Sequence, residues 1–150
     1  LLQRGAVRVH AVDVGYGQLH PRLRADPRVV VRERLNARTL DAAALGERVD
    51  LVVADLSFIS LRLVLPAVAR LLRPGGTAVV LVKPQFEVGK GAVGKGGVVR
   101  EQEKRRSALE SVKQAARALG FEPAGEAESS VEGPAGNREW LLALRLPAET

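Results

Sequence analysis

Leu51-Val52-Val53-Ala54-Asp55 and Val79-Val80-Leu81-Val82-Lys83 are two short apolar runs, each closed by a charged residue, and with Asn137-Arg138-Glu139-Trp140 they decide how the chain is read. Runs of this length, rich in valine, predict buried strands. If Asp55 and Lys83 end neighbouring parallel strands, their backbones stand roughly 4.8 Å apart at one edge of a sheet. A last strand that runs antiparallel beside them and opens at Glu139 begins where theirs finish. That edge is where open α/β sheets bind ligands.

Outward from these runs, Val7 to Val12 and Val29 to Val31 read as two earlier strands, separated by a glycine turn and a short helical piece around Leu19 to Leu23. Ser57 and Ser60 can each cap a helix whose apolar face is Leu61, Val64, Leu65, Val68 and Leu72, and Arg73-Pro74-Gly75-Gly76 ends it. Thr77 to Val82 is the fourth strand. A basic, glycine-rich loop from Gly89 to Gly97 precedes a helix from about Glu101 to Leu119, which has acid in its first turn, Arg117 near its end and Gly120 as its stop. Ala124 to Val131 predicts a strand weakened by glycine and glutamates, and Trp140 to Leu146 a stronger one. Alternating strands and helices predict an α/β fold with a mostly parallel sheet and an antiparallel last strand. A doubly wound sheet opens with strand, glycine turn and helix, so its first strand is missing here and Leu1 to Ala6 read as the tail of that helix.

The chain has 150 residues and is 46% hydrophobic, enough for one domain with its own core. No apolar run reaches the length of a bilayer span and no signal-peptide pattern opens the chain, which points to a cytoplasmic protein. The absence of cysteine excludes disulfides, thiolate metal sites and a cysteine nucleophile, and two histidines argue against a histidine-rich metal site. With Leu1 first and no methionine anywhere, the domain is expected to be incomplete at its N-terminal side. The net charge of +6, from 23 basic and 17 acidic residues, fits a polyanionic partner or simply an arginine-rich surface. A clustered basic face would decide between them.

Asp13, in Ala11-Val12-Asp13-Val14-Gly15, stands where a carboxylate can accept hydrogen bonds from an adenosine ribose, and it also reads as a turn former. Gly15-Tyr16-Gly17 is no dinucleotide fingerprint, because position 20 is histidine and the acid precedes the glycines. Gly89 to Gly96 approaches a phosphate-binding loop but offers glycine where serine or threonine must hold magnesium, and six residues separate it from the strand before. A basic lid on a phosphate backbone and a plain flexible loop both fit it. Asp55 taken alone is a helix cap, Lys83 a solvated strand end and Glu139 a surface partner of Arg138. Together, two carboxylates flanking one lysine can orient it and a substrate hydroxyl for proton transfer. His10 and His20 have no visible partner, and Trp140 reads as core.

Leu1-Leu2-Gln3-Arg4-Gly5-Ala6, Ala11 to Leu19, Asp55-Leu56-Ser57-Phe58-Ile59-Ser60-Leu61, Lys83-Pro84-Gln85-Phe86-Glu87 and Gly94 to Arg100 together resemble the TlyA (hemolysin A) family, over essentially the whole chain. The resemblance implies a Rossmann-like class I methyltransferase domain, FtsJ-like, that uses S-adenosylmethionine to methylate ribose 2′-hydroxyls of ribosomal RNA and normally follows a small S4-type RNA-binding domain. It places the last three members of a Lys, Asp, Lys, Glu catalytic set on Asp55, Lys83 and Glu139, and the first lysine has no counterpart. It also puts Asp13 on the cofactor ribose, Asn36 near the adenine, and Asp55 facing the cofactor. The glycine turn that would cradle the methionine end lies before Leu1.

The mechanism so implied is an in-line displacement in which the ribose oxygen attacks the sulfonium methyl while Lys83, transiently neutral, takes or accommodates the hydroxyl proton and Asp55 and Glu139 orient and balance charge, with no metal. The partners are ribosomal RNA or ribosomal subunits. Two other functions stand beside it. One is a noncatalytic RNA-binding module of the same fold, which would bind RNA in a salt-sensitive way without binding S-adenosylmethionine. The other is a membrane-active hemolysin, which the lack of a span or a lysine-rich amphipathic helix opposes.

Overall fold

The computed structural model describes residues 1–150. Six strands form, β1 (Val9–Val12), β2 (Val29–Arg32), β3 (Val49–Ala54), β4 (Leu72–Val82), β5 (Glu122–Glu128) and β6 (Trp140–Arg145). They make two sheets, a parallel pair β1-β2 and a four-stranded sheet in the order β3-β4-β6-β5. β3 and β4 are parallel, with Ala54 opposite Val80, and β6 lies antiparallel to β4, with Trp140 opposite Val82. The strand ends carrying Asp55 and Lys83 and the strand start carrying Glu139 therefore share one edge, as the sequence predicts.

The helices are α1 (Pro21–Arg24), α2 (Ala42–Leu45), α3 (Leu61–Leu71), α4 (Pro84–Glu87) and α5 (Gln102–Ala118). Of the two serines able to cap α3, Ser60 does so by accepting the Arg62 N–H. α3 and α5 bury their apolar faces against the four-stranded sheet. Leu65, Leu109, Val112 and Leu142 are completely buried there, in a core that also takes in Phe121. Each such side chain contributes roughly 1.5–3 kcal/mol. Trp140 packs against this core, with the Arg106 guanidinium 5.4 Å from its ring centre.

Two boundaries differ most from the sequence reading. β4 starts at Leu72 instead of Thr77, because Leu72 pairs with Val49 and the Arg73–Gly76 segment stays extended across the sheet edge. Gly75, at φ 81°, donates its N–H to the Leu146 carbonyl, and a side chain on Gly76 would run into the carbonyls of Arg73 and Asp50. The glycines that predict a turn here act as spacers between strands. β5 begins at Glu122 and ends at Glu128, earlier than expected, since its register is set by β6 with an irregularity at Pro123–Gly125.

β1 pairs only with β2, and β3 only with β4. Their other edges line one groove of about 580 Å³, walled by Val9, Val12, Leu51, Val53 and Ala54, with Asp55 at its rim. Leu51 and Val53 are 43% and 53% exposed in it. Across this groove Glu47 accepts hydrogen bonds from Arg8 at 2.6 Å and from His10 at 2.9 Å, so His10 has a partner that the sequence did not reveal. His20 has one as well, the N–H of Arg22 at the start of α1.

Candidate active site

Lys83 follows β4 directly and caps α4, where Pro84 forbids the strand to continue. Its side chain is only 9% exposed, and its ammonium lies 2.6 Å from an Asp55 carboxylate oxygen and donates to the Ser57 hydroxyl at 3.2 Å. Asp55 leaves the end of β3 with a side chain 71% exposed. One member of the pair is thus buried and the other open to solvent. No cluster of three His, Cys, Asp or Glu side chains suited to a metal ion forms anywhere in the chain.

Glu139 is 4% exposed and sits one residue before β6, across the strand pair from Lys83. Its carboxylate makes no ion pair with Lys83 or with Arg138. It accepts a hydrogen bond from Gln85 Nε2 at 3.1 Å, while Arg138 turns outward toward Glu128. The two carboxylates therefore flank the lysine unequally, Asp55 in contact and Glu139 hydrogen-bonded to Gln85 instead. The Glu139 carboxylate lies against the α-carbon of Gly133, in the space that any other residue there would fill with its β-carbon.

Asp13 lies just past β1, exposed, and accepts the Gly15 N–H at 2.8 Å, so it is the turn former that the sequence allowed. The turn spends one oxygen, and the rest of the carboxylate keeps acceptor capacity for a ribose diol. Asn36 lies after β2 and accepts the Arg38 N–H with its side-chain carbonyl, leaving its amide N–H groups to donate. The loops bearing the two are joined by the Arg34 N–H to the Gly15 carbonyl and by the Arg34 guanidinium 4.6 Å above the Tyr16 ring. Asp13 and Asn36 thus stand together past the ends of one parallel pair, an arrangement that fits the nucleoside end of S-adenosylmethionine. The structure sets neither residue in contact with Lys83.

Sequence reasoning missed two buried polar residues. Asn137, 3% exposed, accepts the Val99 N–H at 3.0 Å and donates to the carbonyls of Gly97 at 2.9 Å and Pro134 at 3.2 Å. It pins the end of the basic glycine-rich loop beside the turn that leads to Glu139, while Lys90, Lys95 and Arg100 stay exposed. Glu87 accepts the Ser60 hydroxyl at 2.6 Å and the Leu61 N–H at 2.7 Å. Burial pushes its carboxyl above the usual glutamate value, opposed by those two hydrogen bonds and by the charge of Arg62. The one available signal was that both residues belong to segments already singled out, Lys83 to Glu87 and Asn137 to Trp140.

A Lys–Asp pair at the carboxyl edge of an α/β sheet whose last strand is antiparallel accords with the fold class of S-adenosylmethionine-dependent methyltransferases. The same fold appears in such an enzyme from Methanosarcina mazei, at TM-score 0.65 and 14% identity, with 99% of this chain and 86% of that one covered. The FtsJ-like methyltransferase model matches residues 1–146, and the chain belongs to that family. It is 56% identical over 145 residues, 97% of its length, to the 16S/23S rRNA (cytidine-2′-O)-methyltransferase TlyA of Mycobacterium tuberculosis, and covers 54% of that protein. It is 36% identical over 142 residues to Hemolysin A of Brachyspira hyodysenteriae, with 94% of this chain and 59% of that one covered. A solved chain from Streptococcus thermophilus that carries a hemolysin name superposes at TM-score 0.94 with 43% identity, covering 97% of this chain and 53% of that one. The chain spans about half the length of the curated relatives it matches. No helix in it is long and apolar enough to cross a membrane.

Proposed function

We propose that the chain is the catalytic domain of a ribosomal RNA 2′-O-methyltransferase, with Asp55, Lys83 and Glu139 as its catalytic residues and Asp13, Asn36 and Asp55 as its cofactor contacts. The observation that carries this is the buried Lys83 ammonium held 2.6 Å from Asp55 at the sheet edge, in a chain 56% identical to a relative named for that chemistry. Bound S-adenosylmethionine supplies an electrophilic methyl group. Lys83, made transiently neutral by releasing a proton to solvent, takes the proton of the ribose hydroxyl as its oxygen attacks the methyl; Asp55 and Ser57 hold the ammonium so formed in place, and Glu139, hydrogen-bonded by Gln85, stands across the strand pair. Proton handling of this kind is worth roughly 10² to 10⁴ in rate. The exposed Lys90, Lys95 and Arg100 of the glycine-rich loop fit contacts to the RNA backbone, which position without reading sequence.

The same reading holds that a further strand, from a segment outside these 150 residues, lies between β1 and β3. Two unpaired edges facing one apolar groove support it, since a strand seated there spaces its neighbours about 4.8 Å on either side. The test is transfer of a tritiated methyl group from S-adenosylmethionine to unmodified ribosomal subunits, comparing the 150-residue chain with the complete gene product. Transfer by the complete product is the expected result. A complete product that is folded and binds RNA but transfers nothing would replace this reading with the noncatalytic RNA-binding module.

A further inference from the structure

The Lys83–Asp55 contact is one of two ties between the segment that follows β3 and the segment that follows β4. The second stands at the far end of both. Glu87, its side chain 1% exposed, spends one oxygen on the Ser60 hydroxyl and the other on the Leu61 N–H, and Arg62 approaches the same carboxylate to 3.7 Å and donates to the Glu87 carbonyl at 3.3 Å. Between the ties the backbone turns through Phe58 at φ 63°, a left-handed conformation that a bulky residue keeps only where its surroundings over-determine it. The Phe58 ring is 90% exposed and touches only one aromatic neighbour, Phe86, at 5.1 Å between centroids. Its own burial therefore does not hold the turn.

Asp55 is in the same position, with a side chain largely in solvent. A carboxylate buried at Glu87 costs free energy that an apolar residue filling the same space would avoid. What it provides in return is two acceptors aimed at consecutive residues, Ser60 and Leu61. We propose that Glu87 is a positioning residue. By bridging Ser60 and Leu61 it fixes the 55–60 turn, and so sets Asp55 and Ser57 around the Lys83 ammonium. This rests on the methyl-transfer reading of Lys83.

The test uses the complete gene product with Glu87→Ala, Glu87→Gln and Ser60→Ala. Glutamine can accept the Leu61 N–H with its oxygen and donate to the Ser60 hydroxyl with its amide, so it keeps the bridge without the charge. Glu87→Ala is expected to lower kcat about tenfold or more while KM for S-adenosylmethionine changes less than about twofold, and Glu87→Gln to restore most of the loss. Ser60→Ala, which cuts one strand of the bridge, is expected to lower kcat about threefold. Hydrogen exchange at residues 56–61 should quicken in both alanine variants and stay slow in the glutamine variant. Wild-type kcat in a folded Glu87→Ala protein overturns the proposal, as does a glutamine variant as impaired as the alanine one. Should Glu87→Ala not fold, unchanged kcat and unchanged exchange in Ser60→Ala overturn it equally. If the unmutated product transfers no methyl group, it is the functional reading that fails, and exchange at residues 56–61 still decides whether Glu87 holds the turn.

Discussion

The four-stranded sheet and the two-stranded pair differ in how far each is finished by its own residues. The first is closed by α3 and α5 over a core of 14 buried residues, whereas the second has no fully buried strand residue and leans on a cluster of three, Leu40, Leu45 and Leu71. Lys83 and Glu139, both buried, belong to the finished part, the nucleoside-side candidates Asp13 and Asn36 to the open one, and Asp55, with its side chain 71% exposed at the rim of the groove, stands between them. A reacting group must be held to within a fraction of an ångström, and a packed core gives that rigidity. A pocket that receives a cofactor tolerates, and needs, more freedom.

The strongest break in this comparison would come from Lys83. Lys83→Ala is expected to lower methyl transfer by about 10² to 10⁴ while S-adenosylmethionine affinity, measured by calorimetry, stays nearly unchanged; a parallel loss of affinity would mean that the two parts do not divide the work. Next, Phe121→Ala should cost about 3–5 kcal/mol in urea unfolding, against about 1 kcal/mol for Val30→Ala in β2. Equal costs would show that the open part is packed as tightly as the closed one. Asn137→Ala leaves the buried Val99 N–H without its acceptor and should cost about 1–3 kcal/mol. Limited proteolysis should then cut first between residues 89 and 99, and an unchanged pattern would show the glycine-rich loop to be held by something else.

The smallest expected effect is one of pH. The hydrogen bond from His10 and then that from Arg8 hold the Glu47 carboxyl below the usual glutamate range, and Arg28 holds Asp26 down to about 2. A depressed acid stabilises the fold above its ordinary value and loses that contribution as pH falls through its folded value. Acid should therefore loosen the tie across the groove as pH drops below about 4.5. Glu87, shifted upward, has the opposite sign, and its contribution falls as pH rises through its folded value. Amide shifts of Val9 to Val12 followed by NMR should move before those of Val79 to Val82, and simultaneous movement would remove the distinction between the two parts.

The strands were legible because their signal is local: Leu51 to Ala54 and Val79 to Val82 carry it in a few residues. So was the shared edge, since parallel and antiparallel registers leave little choice once the strands are ordered. What stayed hidden depends on which atoms meet across long sequence distances. Nothing in Asn137 announces that it reaches Gly97 and Val99, and nothing in Gln85 announces that it donates to Glu139. The serines show the limit well. Both were able to cap α3, and only three dimensions assign Ser60 to the helix and Ser57 to the lysine.

Gly133 has a consequence for descent. Its φ of −75° is open to any residue, so no turn requires glycine there; the Glu139 carboxylate does, by lying where a β-carbon would stand, with the Asn137 carbonyl close beside it. Drift to alanine would leave the three catalytic candidates spelled as before and displace one of them. A gene copy that has lost the chemistry could thus keep its motif intact and betray itself at a glycine six positions away, so Gly133 is the place to look when active copies must be told from relics.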